Sequence, residues 1–397
     1  MERKVGTVSR GIRCPIIRDG DDLAQIVTDS VIEAGKSDGF TIHDRDIIGM
    51  TESIVARAQG NYASVEAIAK DVKDKLKGDT IGVIFPIFSR NRFSVLLKGI
   101  AMGAKKIVLM LQYPSDEVGN ALITLDQLDA AHVNPYSDTL SLDEFRTLFG
   151  KTEHPFTGMD YVSYYESIVK DAGAEVEIIF SNDARSILDY TDYVLACDVH
   201  SNKRTKRILN ENGAKVVCGL GDLLTDSIDG SGYNKEYGLL GSNKSTEDSV
   251  KLFPRDSFAM TDKIQKMMFE KTGKKVEVMV YGDGAFKDPM GKIWELADPT
   301  VAPGYTNGLE GTPNEIKLKY LADNDFKNLS GDALSKAVTK EIEAKESQQK
   351  DSRAAQGTTP RRIVDLVGSL CDLTSGSGDK GTPIVYIQGY FDNFSTK

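Results

Sequence analysis

The sequence predicts mixed strands and helices with a Rossmann-like βαβ layer in the middle, and three observations carry that expectation. Between residues 104 and 218, short apolar runs alternate with helical spacings: strands at 106–112, 175–180, 193–196 and 215–218, and helices at 161–171, 184–188 and 205–211. Strands and helices that alternate at this spacing make parallel βαβ units. Residues 276–281 form a nearly continuous apolar run, a buried strand by pattern, which breaks at once into Gly282-Asp283-Gly284. Residues 64–77 carry Val65, Ile68, Val72 and Leu76 at helical spacing and so bury one face.

Taken in order, residues 4–11 read as a strand. The acids of Arg18-Asp19-Gly20-Asp21-Asp22 open a helix over 22–34 with Gly35 as its stop. Asp44-Arg45-Asp46 then opens a strand at 47–50 that ends in Thr51-Glu52-Ser53, with Arg57 five residues beyond Glu52. An acid and a base so spaced can flank one phosphate, although by position alone Glu52 reads rather as a solvated loop carboxylate. A strand at 80–87 leads through Ser89-Arg90-Asn91-Arg92-Phe93-Ser94 into a helix at 95–101. Two arginines at a strand-to-helix transition suit an anionic ligand, or simply decorate a cap. The loops between 113 and 160 are rich in Asp, Pro and Ser. Gly219-Leu220-Gly221 is only part of a dinucleotide fingerprint. Cys197-Asp198-Val199-His200 with Cys218 lacks the second half of a zinc site, so packing is the simpler account of the cysteines. Asp198 and His200, at a strand end, are candidates for substrate contacts.

Gly230-Ser231-Gly232 marks a boundary, and a helix at 261–271 closed by Gly273 feeds the 276–281 strand. An acid between two glycines at a strand's carboxyl end sits where ligands collect in open α/β structures, which makes Asp283 the first candidate for holding a metal ion. The same Asp-Gly pair is also a hairpin signal. The following segment to about 325 is turn-rich, residues 334–347 form a charged and solvated helix, 350–359 a loop, and Pro360 opens a helix through 370. Last comes Gly376-Ser377-Gly378-Asp379-Lys380-Gly381 before a strand at 383–388. Its glycines can present backbone N–H groups to phosphate with Lys380 as countercharge, a plain loop being the alternative. No Walker sequence occurs.

At 397 residues the chain can hold two or three cores of ordinary size, and its 40% hydrophobic and 27% charged content describes a globular protein. A formal charge of −10 argues against nucleic acid or an anionic membrane as main partner. Four scattered cysteines suggest neither a disulfide framework nor a zinc ribbon. No apolar run approaches a membrane span and no signal-type core follows Met1, so a cytoplasmic protein is expected.

Together these residues resemble the coenzyme F420-0:γ-glutamyl ligase family. The likeness rests on Cys14-Pro15-Ile16-Ile17 with Gly20–Ala24, on residues 46–60, on 238–283, and on the S-G-D-K-G-T-P-x-V of 376–389. It implies an α+β fold made from an N-terminal part at 1–81, an inserted Rossmann-like α/β domain at 82–232 and a C-terminal part at 233–397. It further implies a homodimeric, GTP-dependent ligase that joins an acceptor carboxylate to the amino group of L-glutamate through an acyl phosphate, with Mg²⁺ or Mn²⁺ as cofactor and K⁺ as a further candidate. By position, Cys14, Pro15, Ile16 and Ile17 look like the backbone that meets the nucleotide, Arg57 like a catalytic phosphate contact, Asn243 like a nucleotide-contacting Asn, and Gly376, Ser377, Gly378, Asp379, Lys380 and Gly381 like the nucleotide loop. Asp283 looks like the catalytic metal ligand. The family's second metal Asp is replaced at Leu240-Gly241, its Thr beside the main Asp by Gly284, and a loop acid by Ser377. Glu52 or Asp288 are the residues expected to supply the missing oxygen ligand. Two further readings stay open: a nucleotide-binding regulatory homologue without turnover, and a folate-type γ-glutamyl ligase. A dinucleotide-dependent oxidoreductase has only Gly219-Leu220-Gly221 in its favour.

Overall fold

The computed structural model describes residues 5–154, 157–282, 298–344, 361–375 and 378–396. The chain begins with β1 (Val8–Ile12), α1 (Leu23–Asp38), β2 (Ile47–Thr51), α2 (Glu52–Ala58), β3 (Tyr62–Ser64) and α3 (Val65–Leu76). Its middle runs β4 (Thr80–Ile84), α4 (Ser94–Met102), β5 (Lys106–Leu111), α5 (Leu125–Ala130), β6 (Leu140–Ser141), α6 (Leu142–Phe149), α7 (Tyr161–Asp171), β7 (Glu175–Phe180), β8 (Tyr193–Ala196), α8 (Asn202–Glu211) and β9 (Val216–Gly219). The remainder is β10 (Asn243–Thr246), β11 (Ser249–Lys251), α9 (Ser257–Thr272), β12 (Glu277–Tyr281), β13 (Gly304–Tyr305), α10 (Leu318–Asp323), α11 (Gly331–Ala344), α12 (Ile363–Ser375) and β14 (Ile384–Gln388). Helices and mixed sheets make this an α+β fold, as expected.

One sheet of five strands has the order β1-β14-β2-β12-β13. Strand β14 is antiparallel to both β1 and β2, while β12 lies parallel to β2. Strands β1, β2 and β12 therefore point the same way, and their carboxyl ends share one edge with the start of β14. The register fixes this: Ile384 stands opposite Ile12 on one side and Met50 on the other, and Tyr281 stands opposite Thr51. Helices α1 and α9 cover one face through Val27, Val31, Ile264 and Met268, and α12 covers the other through Val364, Val367 and Cys371. Each such side chain, removed from water, contributes about 1.5–3 kcal/mol.

The second sheet has the order β6-β7-β5-β4-β8-β9, with every strand parallel except the edge strand β6. The chain enters at β4, moves outward through β5 and β7, then crosses to β8 and β9 on the other side. That reversal places a crevice beyond the carboxyl ends of β4 and β8, the usual ligand position in a doubly wound sheet. Helices α3, α4 and α7 pack on one face and α8 on the other. A third, small sheet pairs β10, β11 and β3, bringing residues 243–251 onto residues 62–64.

Several sequence expectations are corrected here. Gly35 does not stop α1, which continues to Asp38 with Gly39 as its left-handed cap. A Cβ at Gly35 would lie 3.1 Å from the carbonyl of Phe40, so the glycine there permits a close approach inside the helix. The stretch after Thr51 is helix at once, because the Thr51 hydroxyl accepts the Ile54 N–H and caps α2. The supposed loops of 113–160 contain α5 and α6, each opened by a capping box, Thr124 with Gln127 and Ser141 with Glu144. Gly219-Leu220-Gly221 is no dinucleotide loop: a Cβ on Gly219 would run into the Asn202 side chain, and a short 3₁₀ turn follows.

Candidate active site

The crevice beyond β4 opens into a cavity of about 600 Å³, walled on one side by the loop after β4 and on the other by α2 and the small sheet. Two independent sheets thus aim strand ends at one space. On the β4 side the chain turns abruptly at Phe85, whose φ of 57° is a left-handed conformation that costs a non-glycine residue about 1–2 kcal/mol. The loop that follows is pinned from α7. The Tyr165 hydroxyl donates to the Ile87 carbonyl at 2.7 Å and accepts the Ser89 N–H at 2.9 Å. Tyr161, on the same helix, lines the cavity and packs its ring edge-on to Tyr165, with centroids 5.6 Å apart. Asp116, wholly buried, holds the adjoining strands of wall: it accepts Phe88 N at 2.8 Å, Val118 N at 3.1 Å, Asn120 N at 2.8 Å and Asn120 Nδ2 at 2.8 Å. Burial nevertheless pushes its carboxyl up to about 6.

Arg90 is exposed on this rigid loop and lines the cavity, with no carboxylate paired to it among the described residues. Arg92 is turned inward onto Asp298, Nη1 to Oδ1 at 2.5 Å, with Asp298 almost fully buried. Asp298 rests against the end of β12, since a Cβ on Gly282 would collide with its carboxylate. The first glycine of Gly282-Asp283-Gly284 is thus required for close packing; its φ is not left-handed.

On the facing wall, Glu52, Arg57 and Asn243 line the same cavity as Arg90 and Arg92. Glu52 sits in the first turn of α2 and is buried with Lys251 of β11. The Lys251 Nζ lies 3.1 Å from Oε1 and 3.2 Å from Oε2, and both side chains are under 10% exposed. Burial raises the Glu52 carboxyl, and Lys251 opposes that rise. Arg57 donates Nε to the Ile17 carbonyl at 3.1 Å, which fastens the segment Cys14–Ile17, just past β1, to α2. Gly378, Asp379 and Lys380 form a 3₁₀ turn and Gly381 follows at φ 65°, immediately before β14. They stand at the same sheet edge as Cys14–Ile17 and Glu52, as the bond from Thr51 N to the Pro383 carbonyl shows, although they do not line the cavity.

Asp283, Asp288, Gly376 and Ser377 lie outside the described residues. Asp198 and His200, the other candidates for substrate contacts, do not line this cavity. The buried Asp198 accepts the Ser201 and Thr205 hydroxyls, both at 2.7 Å, and steadies the start of α8. The His200 N–H goes to Glu117. Among the described residues no group of three or more His, Cys, Asp or Glu side chains could hold a metal ion. Glu52, expected as an oxygen ligand, has both oxygens on Lys251. Sequence reasoning missed Lys251 and Asp298. A lone lysine inside Val250-Lys251-Leu252-Phe253 was the available signal for the first; Asp298 had none beyond its place before a proline.

The sequence profile of the family described as F420-0:Gamma-glutamyl ligase matches residues 11–389. The chain belongs to the F420-0:γ-glutamyl ligase family. The match runs through the six-stranded sheet as well as both flanking parts, further than the motifs quoted above. As a member of this family the protein is a ligase of the γ-glutamyl type, with small-molecule substrates such as glutamate. No curated protein sequence matches the chain. No helix among its described residues is long and apolar enough to cross a membrane.

Proposed function

We propose that this ligase joins L-glutamate to an acceptor carboxylate at the expense of GTP, within the cavity between the two sheets. An amine does not displace oxide from a carboxylate, so an oxygen must first become a leaving group. Attack of the acceptor carboxylate on the γ-phosphorus gives an acyl phosphate and releases GDP. The glutamate nitrogen then attacks the acyl carbon, phosphate departs with the C–O bond electrons, and the nitrogen gives up its protons. No covalent protein nucleophile is needed; the protein positions the reactants and offsets anionic charge.

The observation that carries this reading is the gathering of Cys14–Ile17, Glu52, Arg57, Gly378–Gly381 and the end of β12 at one sheet edge, beside a cavity into which Arg57 and Arg90 project. Arg57 and Lys380 suit nucleotide phosphates, and Arg90 suits a substrate carboxylate. GTP as the nucleotide, the divalent cation at Asp283, a cytoplasmic location and the homodimer belong to the same proposal. It is tested by measuring phosphate release from GTP and from ATP, with Mg²⁺ or Mn²⁺, with and without L-glutamate and candidate acceptors, in wild type and Asp283→Asn. Release that needs glutamate and an acceptor, and collapses in the variant, is the expected result. Nucleotide binding without release under every combination refutes it.

A further inference from the structure

Lys251 is a buried ammonium at the end of β11, flanked by the buried Val250, Leu252 and Phe253, and folding alone does not account for it. Burying two opposite charges costs several kcal/mol per ion in desolvation, and a pair of well-packed hydrophobic side chains would be as stabilising. Yet Lys251 and Glu52 are both retained, both under 10% exposed, and both on the cavity wall. The ammonium has three hydrogens. Among the described residues Nζ is bonded only to Oε1 and Oε2 of Glu52, which leaves one hydrogen for whatever occupies the cavity.

Glu52 was the sequence's candidate for an oxygen ligand, and the geometry does not fit that role. Its two oxygens are on a cation already, the pair carries no net charge, and a dication at the same oxygens would meet the ammonium head-on. We propose that Lys251 is a tethered cation of the active site, standing where a metal ion would otherwise bind Glu52 and presenting its third N–H to an anionic oxygen of the bound ligand. The ligand chemistry is a phosphate or carboxylate oxygen. Assigning that oxygen to a reacting group rests on the ligase reading; the cation's place on Glu52 does not.

The test uses the full chain and two variants, Lys251→Met and the double variant Glu52→Gln with Lys251→Met. The first frees a carboxylate; the second removes both charges at nearly constant shape and keeps the test open if the first does not fold. Mn²⁺ bound per chain is counted by electron paramagnetic resonance. Binding of inorganic phosphate and of L-glutamate is measured by calorimetry. The expected result is one more Mn²⁺ per chain in Lys251→Met than in wild type, with the wild-type number restored in the double variant. In the double variant one of the two anions should bind roughly 10- to 100-fold more weakly, the loss of one charge-assisted hydrogen bond. A fall for phosphate identifies a phosphoryl oxygen; a fall for glutamate identifies a carboxylate. An unchanged Mn²⁺ count in a folded Lys251→Met, or wild-type affinity for both anions in the double variant, overturns the proposal. Neither readout depends on turnover, so a wild type that never ligates refutes the ligase reading separately.

Discussion

Replacing Asp116 by Asn sets two opposing effects against each other in the cavity wall. The carboxylate accepts four N–H donors, which favour the charged form, while complete burial disfavours it, and burial wins, leaving a value of about 6. A rise from the ordinary 3.8 to about 6 is worth about 3 kcal/mol, at about 1.4 kcal/mol per pH unit. The sign follows from linkage: a folded-state value above the unfolded one gives stability that is complete below the unfolded value and is lost as pH rises through the folded one. Wild type therefore loses about 3 kcal/mol from this group between pH ~4 and ~7, and Asp116→Asn loses nothing there. Urea unfolding of both proteins across that range isolates the effect, because every other carboxylate cancels in the difference. The stability advantage of wild type over the variant should shrink by about 3 kcal/mol as pH rises. An advantage that stays constant means that the donors balance the burial; one that grows means they outweigh it, and either result refutes the reasoning.

Gly282→Ala should destabilise the chain by about 1–3 kcal/mol in denaturant unfolding, since its methyl collides with the Asp298 carboxylate, whereas Gly173→Ala meets no neighbour and strains only the backbone. Tyr165→Phe strands the buried Ile87 carbonyl and the Ser89 N–H, so a loss of about 2–4 kcal/mol is expected together with faster amide exchange at Ser89. Arg92→Met leaves Asp298 buried without its guanidinium and should cost about 3–5 kcal/mol by thermal or urea unfolding; a loss below about 1 kcal/mol would show that the pair contributes nothing.

Elements whose signals are local were legible in the sequence. Helix α7 and strands β7 and β8 coincide with their expected bounds, because Asp160 caps the helix, Gly173 follows it, and each strand is a short apolar run. The sheet of β3, β10 and β11 was not legible: three- and four-residue strands are too short to show a period of two, and β3 pairs with β11 across nearly two hundred positions. The same distance hid Lys251, whose partner Glu52 is 199 positions away. The capping boxes of α5 and α6 were present in the sequence and simply outweighed by the surrounding Asp, Pro and Ser. At the site, Arg57, Glu52 and Asn243 were singled out and do share a cavity, but what Glu52 binds is decided by a residue from another sheet, which no local pattern reports.

The position of β14 has a consequence for the order in which the protein can be made. A strand from residues 384–388 lies between β1 and β2, so each of these amino-terminal strands bonds to β14 and not to the other, and neither gains that partner until residue 388 has been synthesised. The six-stranded sheet draws its strands from residues 80–219 and can close during synthesis. Until β14 arrives, β1 and β2 present unpaired edges to other chains. The nascent protein is therefore exposed to misassembly at these edges until residues 384–388 emerge, and β14 is what ends that exposure.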